Sequence, residues 1–437
     1  MASSDDDSSS TSSHSSAASS LSDAANDEEE IQVSRSNLKK KISVCHILLL
    51  SAVTRLIAMT NENRGVRGPD NFVEEERRGY FRKCLRNVRG LDDGIFRRKF
   101  RLTKEEANFL IINLFPRDYS HNGRVSVPKE IQLLLALRYL AGGSYLDIAD
   151  LYTHNISSTL YYILHRVIGM INGFLKIHFP SLLEARELTN EFTLPGCVGC
   201  VDGLLIPIQC PPGEAPVAYY TRKGFYALNC QAVAGPNGEF MYVSCQWTGP
   251  TSDSTAFQST SLALSAEAGQ VPALMEDRFL VADAAYPIKK WLMKPFDRTG
   301  AINSDPDIFN YVLSSSRVSV ERAFGMLTQR WRCLNIANGS TIDHIRTYLQ
   351  AACRLHNFCI RRILKEGYID AIDEDNDADH MRIGRITRLE TIDRDRRNAV
   401  PPGELINEGA AYNDGCERRR ALMNYLVAHG YRRPVIV

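Results

Sequence analysis

The spacing of apolar residues changes character near residue 190. Upstream the apolar positions recur at helical intervals. "KEEANFLIINLF" follows a Thr103 to Glu106 capping pattern, and "EIQLLLALRYLAGG", "SYLDIADLY" and "NISSTLYYILHRVIGMINGFL" fill most of residues 128–172. Helix, Gly-containing turn, short helix, turn and longer helix make a helix-turn-helix outline, which any small helical bundle shares. Further upstream, "ISVCHILLLSAVTRLIAM" (42–59) is 18 residues long and carries His46 and Arg55, so a packed helix is expected there rather than a membrane span.

Downstream the pattern becomes short apolar runs punctuated by turns. "GCVGCVDG" (196–203) reads as a strand covered on both faces, although Asp202-Gly203 is also a good turn that would end it. "GFYALNCQAVAG" and "EFMYVSCQWTG" flank "PNG" and read as a hairpin. "TSDSTAFQSTSLALSAEAG" predicts one helix, "RFLVADAAYP" a fourth strand ending in Asp283, and loop follows to about residue 313. "SVERAFGMLTQRWRCL" then predicts an amphipathic helix with Val320, Phe324, Leu327 and Trp331 on one stripe, and "TIDHIRTYLQAACRLHNFCIRRIL" a final helix. Three strands, helix, strand and helix make an α/β layer arrangement.

Composition refines this picture at the ends of the chain. Of 437 residues 44% are hydrophobic and 24% charged, and the net charge is +1, values ordinary for a globular protein. The charge is unevenly placed. Residues 1–30 hold eight acids and no Lys or Arg in a Ser-rich background, whereas residues 77–104 hold eleven Lys/Arg against two Asp. The expected organisation is a disordered acidic tail (1–36), a helical region with the helix-turn-helix-like segment (37–190), an α/β domain (191–365) and a charged extension (366–437) containing "DAIDEDNDADH". The eleven cysteines form no disulfide framework, and the acidic N-terminus is no secretory signal, so a reduced intracellular compartment is expected. Cys197 and Cys200, three apart on a strand, should face opposite sides; Cys353, His356 and Cys359 fit core packing better than a metal site.

Two apolar strands each deliver one carboxylate, Asp202 and Asp283, and Glu321 lies beside the buried stripe of the amphipathic helix. Three ionised carboxylates brought together would repel one another, and a hard divalent cation, Mg2+ or Mn2+, removes that repulsion. Two such ions can activate a water or 3′-hydroxyl and stabilise the leaving oxygen of a phosphodiester. Each acid alone also reads as a turn, cap or surface residue, and spacing leaves that choice open.

The set "GCVGCVDG", "RKGFYALNCQ", "WTGPTSDSTAF", "VADAAYP", "VERAFGMLTQRWRCL" and "LHNF", in this order, resembles the PIF/Harbinger superfamily of DDE transposases, including the Harbinger transposase-derived nucleases. The resemblance spans about residues 95–360. It implies an RNase H-like catalytic domain, a mixed sheet flanked by helices, with Asp202, Asp283 and Glu321 as the catalytic and metal-binding acids. Asp253 in "TSDS" matches a further family acid; its place at a helix start makes an N-cap its ordinary role, and we expect an accessory or supporting ligand there. "DAAYP" departs from the family's usual small polar residue and Gly after the acid.

Arg222, Lys223, Arg322 and Arg330 are weak candidates for DNA phosphate contacts, with a solvated surface as the alternative for each. The basic 77–104 segment is a candidate phosphate patch. Arg317, four residues before Glu321, could pair with it. His356 and Asn357 fit a structural pair better than a catalytic base. The resemblance implies a nuclear location, with the cytoplasm also open, DNA as substrate and a separate Myb-like partner protein; a homo-oligomer stays open, and no membrane role is expected. The alternative is a domesticated relative that binds DNA or chromatin as an adaptor without cutting. A hydrolase of small phosphoesters fits the acids but not the basic segment or the motifs.

Overall fold

In a computed structural model, which describes residues 70–115, 127–143, 157–212, 216–297, 299–336, 341–366 and 409–434, the apolar runs beyond residue 190 form one five-stranded mixed sheet. Strands β1 (Cys197–Pro207), β2 (Ala227–Ala234), β3 (Phe240–Thr248), β4 (Phe279–Val281) and β5 (Leu292–Met293) lie in the order β3-β2-β1-β4-β5. The β1–β2 and β2–β3 pairs are antiparallel, and the β1–β4 and β4–β5 pairs are parallel. The "PNG" turn makes the β2–β3 hairpin, with Gly238 at a φ of 86° that only glycine adopts freely. Two helices, α7 (Asp253–Gln258) and α8 (Ser261–Glu267), carry the chain from β3 to β4, the longer connection that a return parallel to β1 needs.

Strand alternation sorts the core into two layers. Cys200, Ala232 and Val281 join a cluster with Val320, Phe324 and Leu327 of α9 (Asp305–Arg330) and with α10 (Ile342–Glu366). Val201, Val233, Leu280 and Ala282 face the other way, onto Phe257 of α7 and Leu262 of α8. β2 is buried at every position, as a strand covered on both faces must be.

Several expectations need correction. β1 does not end at Asp202-Gly203; the apolar alternation continues to Pro207, and Asp202 pairs with Ala232 in mid-strand. The single helix expected at 251–269 is two, because Thr260 breaks the first and caps the second by accepting from the Ala263 N–H. α9 begins at Asp305, well before residue 313, and Ile308, Phe309, Val312 and Leu313 already carry its buried stripe. Cys197 and Cys200 share one cluster rather than opposite faces, since a register shift between Cys197 and Gly199 resets the alternation. β5, two residues long, and α11 (Gly409–Ala428) had no clear signal.

The chain separates into two units, residues 1–77 and 78–437, and only residues 70–77 of the first, which open α1 (Asp70–Arg89), are described. In the second unit, α2 (Asp93–Phe100), α3 (Lys104–Leu114), α4 (Lys129–Leu140), α5 (Ser157–Phe174) and α6 (Leu182–Leu188) precede β1. The Thr103–Glu106 capping box is formed in both directions. α5 packs on α4 and α10, and α10 on β3. The centre of the helix-turn-helix outline (145–153), the 1–36 tail, the 42–59 helix and the 370–380 acidic segment lie outside the described residues. No helix among the described residues is long and apolar enough to cross a membrane.

Candidate active site

The two strand acids meet through register. Cys200 pairs with Val281 across the parallel β1–β4 ladder, both on the α9 side, and Asp202 and Asp283 each lie two residues further on. Both acids are buried, 8% and 3% exposed. Asp202 accepts the Gly203 N–H at 2.9 Å and Asp283 the Ala285 N–H at 2.9 Å.

α9 supplies the third acid and a cation. The Cys200 thiol donates to the Ser316 carbonyl at 3.1 Å, fixing the helix against β1 two residues before Asp202. On this helix Leu313, Arg317, Val320, Phe324 and Leu327 follow three- and four-residue spacing, so Arg317 lies on the buried stripe. One of its guanidinium nitrogens, Nη2, is 3.9 Å from Asp202 Oδ2 and 3.9 Å from Glu321 Oε1. The Asp202 and Glu321 oxygens therefore lie within twice that distance of each other. Burial pushes the Asp202 carboxyl up to about 7; Arg317 works against that rise, and the charge of Asp283 adds to it.

Asp253 approaches from the other face. It is not the N-cap of α7; Ser252 takes that place, accepting from the Thr255 N–H. Asp253 Oδ1 instead accepts from Asn229 and Gln231 of β2, each at 3.0 Å. Gly203 makes this approach possible, because a Cβ there would stand 2.2 Å from Asp253 Oδ1. Tyr286 completes the arrangement. Its hydroxyl donates to Gln231 Oε1 at 2.6 Å, and burial, followed by the charges of Asp253, Asp202 and Asp283, holds its pKa well above the usual phenol range. Neither Tyr286 nor the Arg317–Asp202 pair was anticipated. An arginine interrupting an apolar stripe was the available signal for the second, and a tyrosine three residues after Asp283 for the first.

The other candidates lie elsewhere. Arg322 donates to the Pro236 carbonyl at 3.0 Å and so steadies the β2–β3 turn. Arg330 reaches inward, where its charge is felt by Cys359 and His356. Arg222 and Lys223 sit exposed on a turn closed by the Thr221 N–H to the Phe225 carbonyl. On α1, Phe81, Cys84 and Val88 turn inward while Arg78, Arg82, Lys83, Arg86 and Arg89 stay in solvent. His356 and Asn357 bind backbone: His356 Nε2 meets the Gly238 carbonyl at 2.9 Å, and Asn357 bonds both the N–H (2.8 Å) and the carbonyl (2.7 Å) of Phe240. They form a structural pair, as expected.

As the side chains stand, no group of three or more His, Cys, Asp or Glu among the described residues is gathered closely enough to hold a metal ion. The donors near Asp202 are nevertheless of the right kind for a hard cation, all carboxylate oxygens with Arg317 standing between two of them.

A family model described as a DDE superfamily endonuclease matches residues 201–357, the segment from the residue before Asp202 to Asn357. Over that segment the chain is similar to DDE superfamily endonucleases. Across 249 residues it is 27% identical to "Putative nuclease HARBI1" of Bos taurus and of Homo sapiens, covering 54% of this chain and 68% of each relative. Across 278 residues it is 25% identical to "Protein ALP1-like" of Arabidopsis thaliana, covering 59% of this chain and 64% of that one. No solved structure matches the chain. The family resemblance carried by the motifs is thus the one the comparisons return. The DDE match encloses Asp202, Asp253, Asp283, Arg317, Glu321, His356 and Asn357.

Proposed function

We propose that the protein is a metal-dependent DNA endonuclease or transposase of the DDE type, with Asp202, Asp283 and Glu321 as catalytic acids and Asp253 as a supporting ligand. The observation that carries this reading is the placement of two buried acids, Asp202 within β1 and Asp283 just past the end of β4, each two residues beyond the paired Cys200 and Val281, with Glu321 near Asp202 through Arg317. The strand order β3-β2-β1-β4-β5 supports an RNase H-like domain. When bound, Mg2+ or Mn2+ ions at these carboxylates supply Lewis acidity to the phosphodiester oxygens.

The chain's own residues do the rest. Burial keeps bulk water from Asp202 and Asp283, while Asn229 and Gln231 orient Asp253 beneath Gly203. The solvent-facing cations of α1 supply charge for a phosphate backbone, and Arg222 and Lys223 are further candidates for it. The protein is proposed to act in the nucleus with a Myb-like partner.

The adaptor reading keeps one observation in its favour, the absence of a closed acid cluster among the described residues. Nicking of supercoiled DNA by the purified chain, with Mg2+ or Mn2+ and with the partner supplied, separates the two. We expect metal-dependent nicking that falls about 1000-fold in Asp202→Ala, equivalent to about 4 kcal/mol of barrier. Equal nicking by both proteins would overturn the proposal, and no nicking by either would favour the adaptor.

A further inference from the structure

Arg317 is 5% exposed on a helix face otherwise given to Leu313, Val320, Phe324 and Leu327. Placing an arginine there forgoes an apolar contact and takes a charge out of water, which is unfavourable unless opposite charge meets it. Opposite charge does meet it from two elements, since the same nitrogen lies 3.9 Å from Asp202 on β1 and 3.9 Å from Glu321 one helical turn along α9. Its spacing to both acids is that of an ion pair rather than a short hydrogen bond, so it balances their charge without closing either carboxylate into a fixed bond.

We propose that Arg317 is a positioning residue that acts as a resident counter-charge: it offsets the repulsion between Asp202 and Glu321 while no divalent cation is bound, and it yields that role when a cation arrives. The inference rests on the metal-binding reading of these acids and adds to it an order of events. The acid pocket is held together before metal by the protein's own cation, and metal affinity is set partly by competition with that cation. A guanidinium suits the task because it stays charged at every physiological pH and is less strongly hydrated than an ammonium.

The test uses the full chain and a readout independent of activity. Wild type, Arg317→Met and Arg317→Lys are melted in EDTA and in saturating Mn2+, and Mn2+ affinity is measured by calorimetry. Arg317→Met keeps the apolar stem but leaves two like charges facing. It is expected to melt lower than wild type in EDTA, to gain more from Mn2+, and to bind Mn2+ about tenfold more tightly. Arg317→Lys should stay close to wild type. An unchanged Mn2+ affinity and an equal Mn2+ shift in Arg317→Met and wild type would overturn the inference while leaving the metal site standing. Absence of Mn2+ binding by wild type would overturn both. Where Arg317→Met alone does not fold, the pair Asp202→Asn with Arg317→Met decides. Restored folding supports the charge role, and continued failure to fold assigns Arg317 to packing and overturns the proposal.

Discussion

Two buried polar groups in the same domain are treated in opposite ways. His356 and Asn357, each 1% exposed, turn their polar atoms to the backbone of the β2–β3 hairpin, to Gly238 and Phe240. Asp202, 8% exposed, has one backbone N–H, an arginine at 3.9 Å and a second acid nearby. Satisfied hydrogen bonds turn the first pair into a clamp between α10 and β3. Opposed charges, more than hydrogen bonds, surround the second group, which is why a cation site is proposed there. The difference teaches that burial of a polar residue says little about its role until its partners are counted.

The sharpest way to break this comparison is pH. The native state holds the Asp202 proton more tightly than the unfolded chain, with the pKa raised from 3.8 to about 7, so this group makes stability fall as pH rises from about 4 to about 7. His356 runs the other way. Burial lowers its pKa from 6.5 to about 4, so its contribution rises across that interval as the unfolded chain loses its proton. In order of magnitude the Asp202 effect is about 4 kcal/mol and the His356 effect about 3 kcal/mol. In metal-free urea titrations, Asp202→Asn should turn the nearly balanced profile into a rise of stability with pH, and His356→Gln should leave a fall. Identical pH profiles for Asp202→Asn and wild type would mean that Asp202 is not held as described.

A smaller effect separates structure from chemistry. Asn357→Ala leaves the Phe240 N–H and carbonyl without their side-chain partner and should cost about 2 kcal/mol of stability, read from the urea midpoint. Nicking per folded molecule should stay unchanged, unlike the loss expected for the acids; a proportionate loss of activity would erase the contrast. The smallest expected effect sharpens the acidic side. Gly203→Ala drives a Cβ to 2.2 Å from Asp253 and should cost about 1–2 kcal/mol. It should also lower nicking through the displaced carboxylate, and a variant with wild-type activity would detach Asp253 from the site.

Much of this arrangement was legible in the chain. The strand runs around Asp202 and Asp283, the "PNG" hairpin and the Thr103–Glu106 capping box are local signals that the structure reproduces. The lengths of β1 and α9 were underestimated because Asp-Gly also reads as a turn and the residues up to about 313 as loop, while continued pairing with β2 and a buried stripe overrode them. α11 was missed because its anchoring depends on distant residues. A Cβ at Gly415 would stand 3.0 Å from the Lys289 backbone, Arg418 donates to the Lys290 carbonyl at 2.7 Å, and the Arg419 guanidinium lies 4.0 Å from the Phe296 ring centre. No periodicity records such contacts.

The sequence by itself determined which residues are candidates for the chemistry, because apolar runs with a two-residue alternation mark the strands that carry or lead into Asp202 and Asp283. Tertiary structure alone decided which acids meet. The parallel pairing of β1 with β4 brings Asp283 level with Asp202, and the crossing of α9 over β1 sets Arg317 between Asp202 and Glu321. The reason is physical. Face is a local property of backbone geometry, whereas strand order and helix placement follow from burying apolar surface contributed by segments more than a hundred residues apart.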